Sequence, residues 1–356
     1  MRILGFQTDL SLLRRYPPFI QMISRNVEEF HLCYLRGELD EKSIIFHHLK
    51  FPRIIQSFTL LLALPTALKA FKICKKYRID LIYILDGSYY ELSGLLVSRL
   101  SGVPLVIRLR QHEVKLRLTL WKNILRRILA NFVTKLAITK AKHVICISHE
   151  LQDFALKWGA SPSRVTIVYH GIDTDNFKPM KVEKPFSRVV LFVGGFRREK
   201  GIFVLLEAAK SLKDIEFFII GPRTIDIQET TIPKNVHCLG IVREGTMPHY
   251  YNMSDILVLP SFVEGSPDVI LEAFACGKPV VATKVGEVPW VVSSKFGWLI
   301  EPGDVQQLTE TIQKALSDKK RIEVMGKAAR EFVVNNFKWD LYTKNMIEIL
   351  GRCVRK

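Results

Sequence analysis

Pro260-Ser261-Phe262-Val263-Glu264-Gly265-Ser266-Pro267-Asp268-Val269-Ile270-Leu271-Glu272-Ala273 places two carboxylates, with seven residues between them, around a glycine turn and the start of a helix. Upstream, Asp255 to Leu259 has the apolar run of a buried parallel strand, and downstream Val269 to Cys276 is an apolar helix. Val263 to Asp268 is therefore a strand-to-helix loop, the place where open α/β sheets hold ligands. Pro267 suits a first helical turn, because its missing donor would go unbonded there anyway. The amides of Asp268, Val269 and Ile270 are left to face an anion such as a phosphate. Glu264 at the start of the loop and Glu272 about a turn inside the helix repel phosphate. Their natural partners are hydroxyls, which a ribose or sugar ring offers in pairs. A surface glutamate on a loop and a solvated one on a helix would give the same spacing without function.

Other motifs precede and follow this stretch. Tyr169-His170-Gly171-Ile172-Asp173 comes first, then Phe192-Val193-Gly194-Gly195-Phe196-Arg197-Arg198-Glu199-Lys200-Gly201, then Ile220-Gly221-Pro222. After Glu272 come Cys276-Gly277-Lys278-Pro279-Val280-Val281-Ala282-Thr283, Gly286-Glu287-Val288-Pro289 and Gly297-Trp298-Leu299-Ile300-Glu301-Pro302-Gly303-Asp304. In this order they resemble the Glu-x7-Glu signature and its flanking motifs in the retaining nucleotide-sugar glycosyltransferases of family four. That resemblance implies an α/β chain of GT-B fold, two Rossmann-like domains with a cleft between them. Residues 1–178 would form an acceptor-side domain and 186–336 a nucleotide-sugar-binding domain, with a last helix over 337–356 crossing back to the first.

The resemblance also implies roles. Lys200 binds the donor diphosphate, Glu272 the ribose hydroxyls, and Glu264 approaches the donor sugar. Gly194 and Gly195 let the backbone approach the diphosphate. Gly265, Ser266, Pro267, Asp268 and Val269 form the phosphate loop, and Gly221 and Gly240 lie near the base. Relatives often carry an arginine directly after the first glycine, where this chain has Gly195. Arg197 or Arg198 is left to supply that charge, and Arg198 is preferred as the neighbour of Lys200. In the first domain, Leu109-Arg110-Gln111-His112-Glu113 falls where relatives often keep a histidine. His112 is therefore a candidate contact to the donor sugar and Arg110 one to phosphate, although a lone histidine beside charges can equally serve its loop. The family's usual Gly-Gly loop after the first strand is missing from Phe6-Gln7-Thr8-Asp9-Leu10-Ser11. His170 suits a turn or hinge better than chemistry.

Length and composition agree with a two-domain enzyme. The chain has 356 residues, 48% hydrophobic and 24% charged, which suits two domains each burying a core and excludes a disordered chain. Cys33, Cys74, Cys146, Cys238, Cys276 and Cys353 are scattered without a Cys-x-x-Cys, so they make neither a disulfide frame nor a metal site, and a reducing compartment is expected. The start, Met1-Arg2-Ile3-Leu4-Gly5-Phe6, is too short for a signal-peptide core. Ile54 to Leu68 is interrupted by Gln56, Ser57, Thr59 and Pro65, and is expected to be a buried crossover helix, since a membrane span needs ~20 apolar residues. The expected location is the cytoplasm, with peripheral attachment to the inner face of the membrane as an option. No Asp-x-Asp pair is placed to carry a divalent ion, so hexosyl transfer without a metal is expected. No cofactor is expected beyond the nucleotide sugar itself, with UDP or GDP as the nucleotide.

Strand-like runs at Ile3 to Phe6, Leu81 to Leu85, Leu105 to Arg108, His143 to Ile147 and Val165 to Val168 alternate with helices. The polar stretch Asp173 to Ser187 is expected to be a linker. A second alternation has strands at Val189 to Val193, Glu216 to Ile220, Val236 to Cys238, Ile256 to Leu259 and Val280 to Ala282.

The net charge of +17 lies mostly in the first half, where 27 Lys and Arg stand against 14 Asp and Glu through Pro179. Within it, Val114 to Leu136 spaces Leu116, Leu120, Ile124, Ile128, Phe132 and Leu136 every four residues, with Lys115, Lys122, Arg126 and Lys135 mainly off the stripe. This is an amphipathic basic helix. Its stripe can face a core, or dock on anionic lipid through residues 114–136; nucleic acid is not expected, since no aromatic-rich basic motif or helix-turn-helix pattern accompanies the charge. Two other functions compete with sugar transfer to a glycan, lipid-linked or small-molecule acceptor. One is a non-catalytic sugar-nucleotide or polyanion-binding protein, and the other a different GT-B enzyme such as a sugar-nucleotide epimerase or phosphorylase.

Overall fold

Runs of valine, isoleucine and leucine build two parallel sheets, one in each of two units. The computed structural model describes residues 1–10, 25–36, 41–49, 59–85, 87–109, 124–223, 232–265 and 268–354. One unit is Met1–Tyr169 with Tyr342–Lys356, and the other is His170–Leu341.

The first unit holds β1 (Arg2–Asp9), β2 (Glu29–Arg36), β3 (Ile44–His48), β4 (Leu81–Ile84), β5 (Leu105–Leu109), β6 (His143–Cys146) and β7 (Val165–Ile167). They pair in parallel in the order β3-β2-β1-β4-β5-β6-β7. Helices α1 (Thr59–Tyr77), α2 (Gly87–Ser101), α3 (Ile124–Lys140) and α4 (His149–Lys157) accompany the sheet. Leu4, Phe6, Ile82, Ile84, Ile107, Val144 and Cys146 join Ala67, Ala70, Val97, Ala137 and Ile138 in one core. Ser148 caps α4 by accepting from the Leu151 amide.

Two strands here are absent from the sequence expectation. β2 and β3 carry Glu29, His31, His47 and His48 among their apolar residues, which hides them from a search for apolar runs. His31 is wholly buried because Glu29 and His47 each sit 3.0 Å from one of its ring nitrogens. The crossover helix is also less buried than expected: α1 buries Leu62, Ala63, Ala67, Ala70 and Ile73 but exposes Leu64 and Leu68.

The second unit holds β8 (Val189–Val193), β9 (Glu216–Ile220), β10 (Val236–Gly240), β11 (Ile256–Leu259), β12 (Val280–Thr283) and β13 (Gly297–Ile300). All pair in parallel, in the order β10-β9-β8-β11-β12-β13. The order reverses between β8 and β11, so the crevice at the carboxyl ends of these two strands is the place for a ligand. Helices α5 (Ile202–Ser211), α6 (Met247–Met253), α7 (Asp268–Ala275), α8 (Val288–Val291), α9 (Val305–Ser317), α10 (Lys319–Asn336) and α11 (Trp339–Val354) complete it, with α11 running on from Tyr342 into the first unit.

The stretch expected as a linker, Asp173 to Ser187, instead packs as part of the second unit. Arg330 on α10 donates to the carbonyls of Phe177, Ala275 and Thr174 at 2.7, 2.8 and 2.9 Å. Asn252 accepts from the Met180 amide at 2.8 Å and donates to the Lys178 carbonyl at 2.9 Å, and Lys184 pairs with Asp255 at 2.5 Å. These bonds satisfy backbone that a polar composition alone assigns to solvent. The units divide earlier, between Tyr169 and His170. There the chain is held beside the start of α11: the Ile172 amide donates to the Phe337 carbonyl at 2.7 Å, and a Cβ on Gly171 would lie 3.0 Å from Trp339 Cα.

All six cysteines are free thiols; five are buried and Cys238 is half-buried. Among the described residues no helix is long and apolar enough to cross a membrane.

Candidate active site

Apolar strands β8 and β11 end in loops that the sequence fills with glycine, lysine and glutamate, and the fold locks these loops together. Lys200 closes a short 3-10 turn, Arg198–Lys200, just after β8. Its ammonium donates to Glu264 Oε1 at 2.7 Å, and the Ser261 hydroxyl donates to the same oxygen at 2.6 Å. The Thr283 hydroxyl in turn holds the Ser261 carbonyl at 2.5 Å, and the Phe262 amide donates to the Glu199 carbonyl at 2.8 Å. Glu264 is 6% exposed, and a carboxylate this buried needs the cation and hydroxyl it has.

Glycines allow the close approach. Gly201 has φ +71°, and a Cβ there would stand 1.9 Å from the Pro260 carbonyl oxygen. Gly286 has φ +53°, with its Cβ position 2.0 Å from the Glu264 carbonyl oxygen. Only a residue without a side chain fits either place.

The loops after β8, β9 and β10 are stitched in the same way. The Gly194 amide donates to the Ile220 carbonyl and the Gly221 amide to the Gly240 carbonyl, both at 2.8 Å. A Cβ on Gly221 would lie 2.1 Å from the Gly194 carbonyl oxygen. Gly221 is thus required by packing against Gly194, a reason the sequence did not show.

The two candidate arginines lie apart. Arg197 Nε lies 3.6 Å from where a Cβ on Gly195 would stand, so Arg197 lies against the glycine loop. The Arg198 guanidinium sits over the Phe203 ring, 5.2 Å from its centroid. Arg197 has extended backbone, φ −131° and ψ 147°, and the 3-10 turn begins at Arg198.

Glu272 lies in α7, half-buried, and its Oε2 accepts from the Tyr251 hydroxyl at 2.6 Å. Burial pushes its carboxyl up to about 7; the Tyr251 bond works against this and the Asp268 charge adds to it. Burial and the Glu272 charge raise the Tyr251 phenol well above its ordinary range. Asp268 and Val269 open α7 and are half-buried, as is Gly265. Ser266, Pro267, His112 and Arg110 lie outside the described residues.

Ser261, Thr283 and Tyr251 are parts of the site that the sequence did not single out. Ser261 stands three residues before Glu264 and could have been noticed; Tyr251 reaches Glu272 only through folding. Among the described residues no three His, Cys, Asp or Glu side chains gather as a possible metal set.

Of the basic stripe, the described part is turned largely away from the core. Residues 114–123 and the side chains of 124–127 lie outside the described set. In α3, Ile128 and Phe132 are 58% and 62% exposed, while Val133, Thr134, Ala137 and Ile138 are buried. Thr134 donates to the buried carboxylate of Glu91 on α2 at 2.7 Å, which turns that face inward.

Comparison with known proteins agrees with this architecture. HepE from Anabaena, solved in complex with UDP, superposes with a TM-score of 0.79 over 99% of this chain and 100% of its own, at 19% identity. Two parallel-sheet units of this topology define the GT-B class of fold. Residues 173–332 match the family described as glycosyl transferases group 1, and residues 22–176 match glycosyltransferase family 4. The chain belongs to the group 1 glycosyltransferases and is an enzyme that transfers a sugar from a nucleotide sugar. It is 25% identical over 311 residues to the UDP-Gal:alpha-D-GlcNAc-diphosphoundecaprenol alpha-1,3-galactosyltransferase of Escherichia coli, covering 80% of this chain and 79% of that protein. It is 27% identical to an uncharacterised glycosyltransferase of Methanocaldococcus jannaschii over 91% of this chain and 93% of that one.

Proposed function

We propose that this chain is a retaining glycosyltransferase that moves a hexosyl group from a UDP- or GDP-sugar to a glycan or lipid-linked acceptor of the cell envelope, without a metal ion or further cofactor. The observation that carries this reading is the Lys200–Glu264–Ser261 node at the ends of β8 and β11, with Glu272 following in α7. Lys200 has three donors; one holds Glu264 and the others can meet a diphosphate. Arg197 at the glycine loop and the first amides of α7 add positive potential. These groups stabilise the charge that develops as the bond from sugar C1 to the diphosphate breaks. The acceptor oxygen bonds to C1 on the same face, and its proton passes to the departing diphosphate oxygen. Glu264 accepts hydroxyls of the donor sugar, and Glu272 the two hydroxyls of the ribose. Family membership tells against a purely binding role and against epimerisation, neither of which transfers a sugar.

Glu272→Ala is expected to weaken binding of the product nucleotide itself, UDP or GDP, by roughly 30-fold, since it removes charge-assisted bonds worth about 2 kcal/mol together. Isothermal titration with and without magnesium measures it. Unchanged affinity would remove the ribose role, and binding that appears only with magnesium would remove metal independence.

The galactosyltransferase relative is named for a diphosphoundecaprenol acceptor, and α3 presents Ile128 and Phe132 beside exposed Lys135 and Lys140. On these grounds the proposal includes cytoplasmic placement and peripheral docking of α3 on anionic lipid. Replacing Ile128 and Phe132 together by serine is expected to lower sedimentation with phosphatidylglycerol vesicles at least tenfold, because burial of each side chain is worth about 1.5 kcal/mol or more. Vesicle binding equal to the parent's would place the docking surface elsewhere.

A further inference from the structure

Tyr251 and Glu272 stand 21 residues apart in sequence and meet inside the second unit. The Tyr251 ring is fully buried on α6 and lies edge-on to Phe177, with centroids 5.9 Å apart. Packing thus fixes where its hydroxyl points, and it points at Glu272 Oε2. A carboxylate that must accept two neighbouring hydroxyls needs a fixed plane and a negative charge. We infer that Tyr251 is a positioning residue for nucleotide binding: its buried hydroxyl fixes the Glu272 carboxylate and favours its ionised form, ready for the 2′ and 3′ hydroxyls of the ribose. This rests on the assignment of Glu272 to the ribose made above.

Charge around α7 leaves that task to the tyrosine. Asp268, one turn earlier on α7, disfavours the ionised carboxylate. On α10, the Arg330 guanidinium is bound to the carbonyls of Thr174, Phe177 and Ala275. Before β12, the Lys278 ammonium is bound to the carbonyls of Asn252 and Ser254 at 3.0 and 2.8 Å. Cys276, at the end of α7, is a thiol that burial pushes up to about 12, so it stays neutral. With Glu272 pushed up to about 7, small changes in its partner move its charge across the neutral range.

The test is a pH series of binding, from pH 5.5 to 9, of UDP and GDP, each beside its 2′,3′-dideoxy counterpart. The counterpart carries the same titrating diphosphate, so the ratio of the two affinities isolates the ribose contact. In the parent protein that ratio should rise through pH 7 to a plateau, because the ionised carboxylate accepts hydroxyls and the protonated one does not. In Tyr251→Phe the rise should move up by about one pH unit, leaving the ratio about fivefold lower at pH 7 and nearly restored at pH 9. The donor KM should follow the ratio, with kcat near the parent value at pH 9. Site-specific 3-fluorotyrosine at position 251, a more acidic donor that keeps the bond, should move the rise downward. It also serves if the phenylalanine variant folds poorly.

A ribose preference that persists with an unmoved midpoint in both variants overturns the positioning role and leaves Glu272 on the ribose. A drop of equal size at every pH means that the tyrosine only packs. No ribose preference in the parent protein at any pH, or no binding of either nucleotide, removes the ribose assignment and this inference together.

Discussion

Lys200→Ala is expected to lower kcat/KM for sugar transfer by about 10²- to 10³-fold, the loss typical when one preorganised donor to a developing charge is removed. Two effects combine. On the proposed assignment the diphosphate loses a cation, and Glu264, 6% exposed, keeps the Ser261 hydroxyl but loses the ammonium at 2.7 Å. The second effect is a stability effect of about 2 kcal/mol, since a buried carboxylate without its cation is poorly compensated. The two separate in a double variant. Lys200→Ala with Glu264→Gln removes the charge along with its partner, and should recover most of the lost melting temperature while transfer stays low. Recovery of transfer together with stability would mean that neither the Lys200 ammonium nor the Glu264 charge is needed at the donor.

Gly201→Ala should cost about 4 kcal/mol in urea unfolding, the sum of left-handed backbone strain and overpacking. At φ +71° its Cβ would stand 1.9 Å from the Pro260 carbonyl oxygen, which is backbone at the end of β11 and cannot rotate away. The relief available is to part the Lys200 turn from the Glu264 loop, so transfer should fall as well. Gly240→Ala is the matched comparison: φ is +68°, but nothing lies within 4 Å of its Cβ position, and only about 1 kcal/mol of strain is expected. Equal costs at the two positions would show that backbone strain, and not the contact with Pro260, makes Gly201 necessary.

The legible parts of this fold are those in which local and tertiary demands coincide. β4, β5, β8, β11 and β12 are short runs of Val, Ile and Leu that suit a strand covered on both faces, and they can be read before folding is considered. The residues of β2 do not announce a strand, because a buried His31 is tolerable only with Glu29 and His47 in place, and His47 arrives with β3. α3 shows the limit of periodicity. Ile128, Phe132 and Leu136 repeat every four residues, and so do Val133 and Ala137 one residue further on. The helix therefore has two apolar stripes, and packing against α2, with the Thr134–Glu91 bond, selects the second for the core. The polar composition of Asp173 to Ser187 suggested a linker because nothing local reveals that Arg330, Asn252 and Asp255 bind it.

In the site the division is similar. From the sequence, through the resemblance its ordered motifs carry, comes the class of fold; Lys200, Glu264 and Glu272 are legible as charged groups in or just after the strand-end loops, since each stands in a local pattern of glycine, apolar run and helix start. Tertiary structure alone decided their partners: Lys200 with Glu264 across 64 residues and Tyr251 with Glu272 across 21. It also decided that Arg197, and not Arg198, lies at the glycine loop, and that Gly221 is needed against Gly194. Those are matters of distance between segments far apart in the chain. A hydrogen bond or a close backbone contact depends on positions to within a fraction of an ångström, which strand order and loop packing set and which local pattern does not encode.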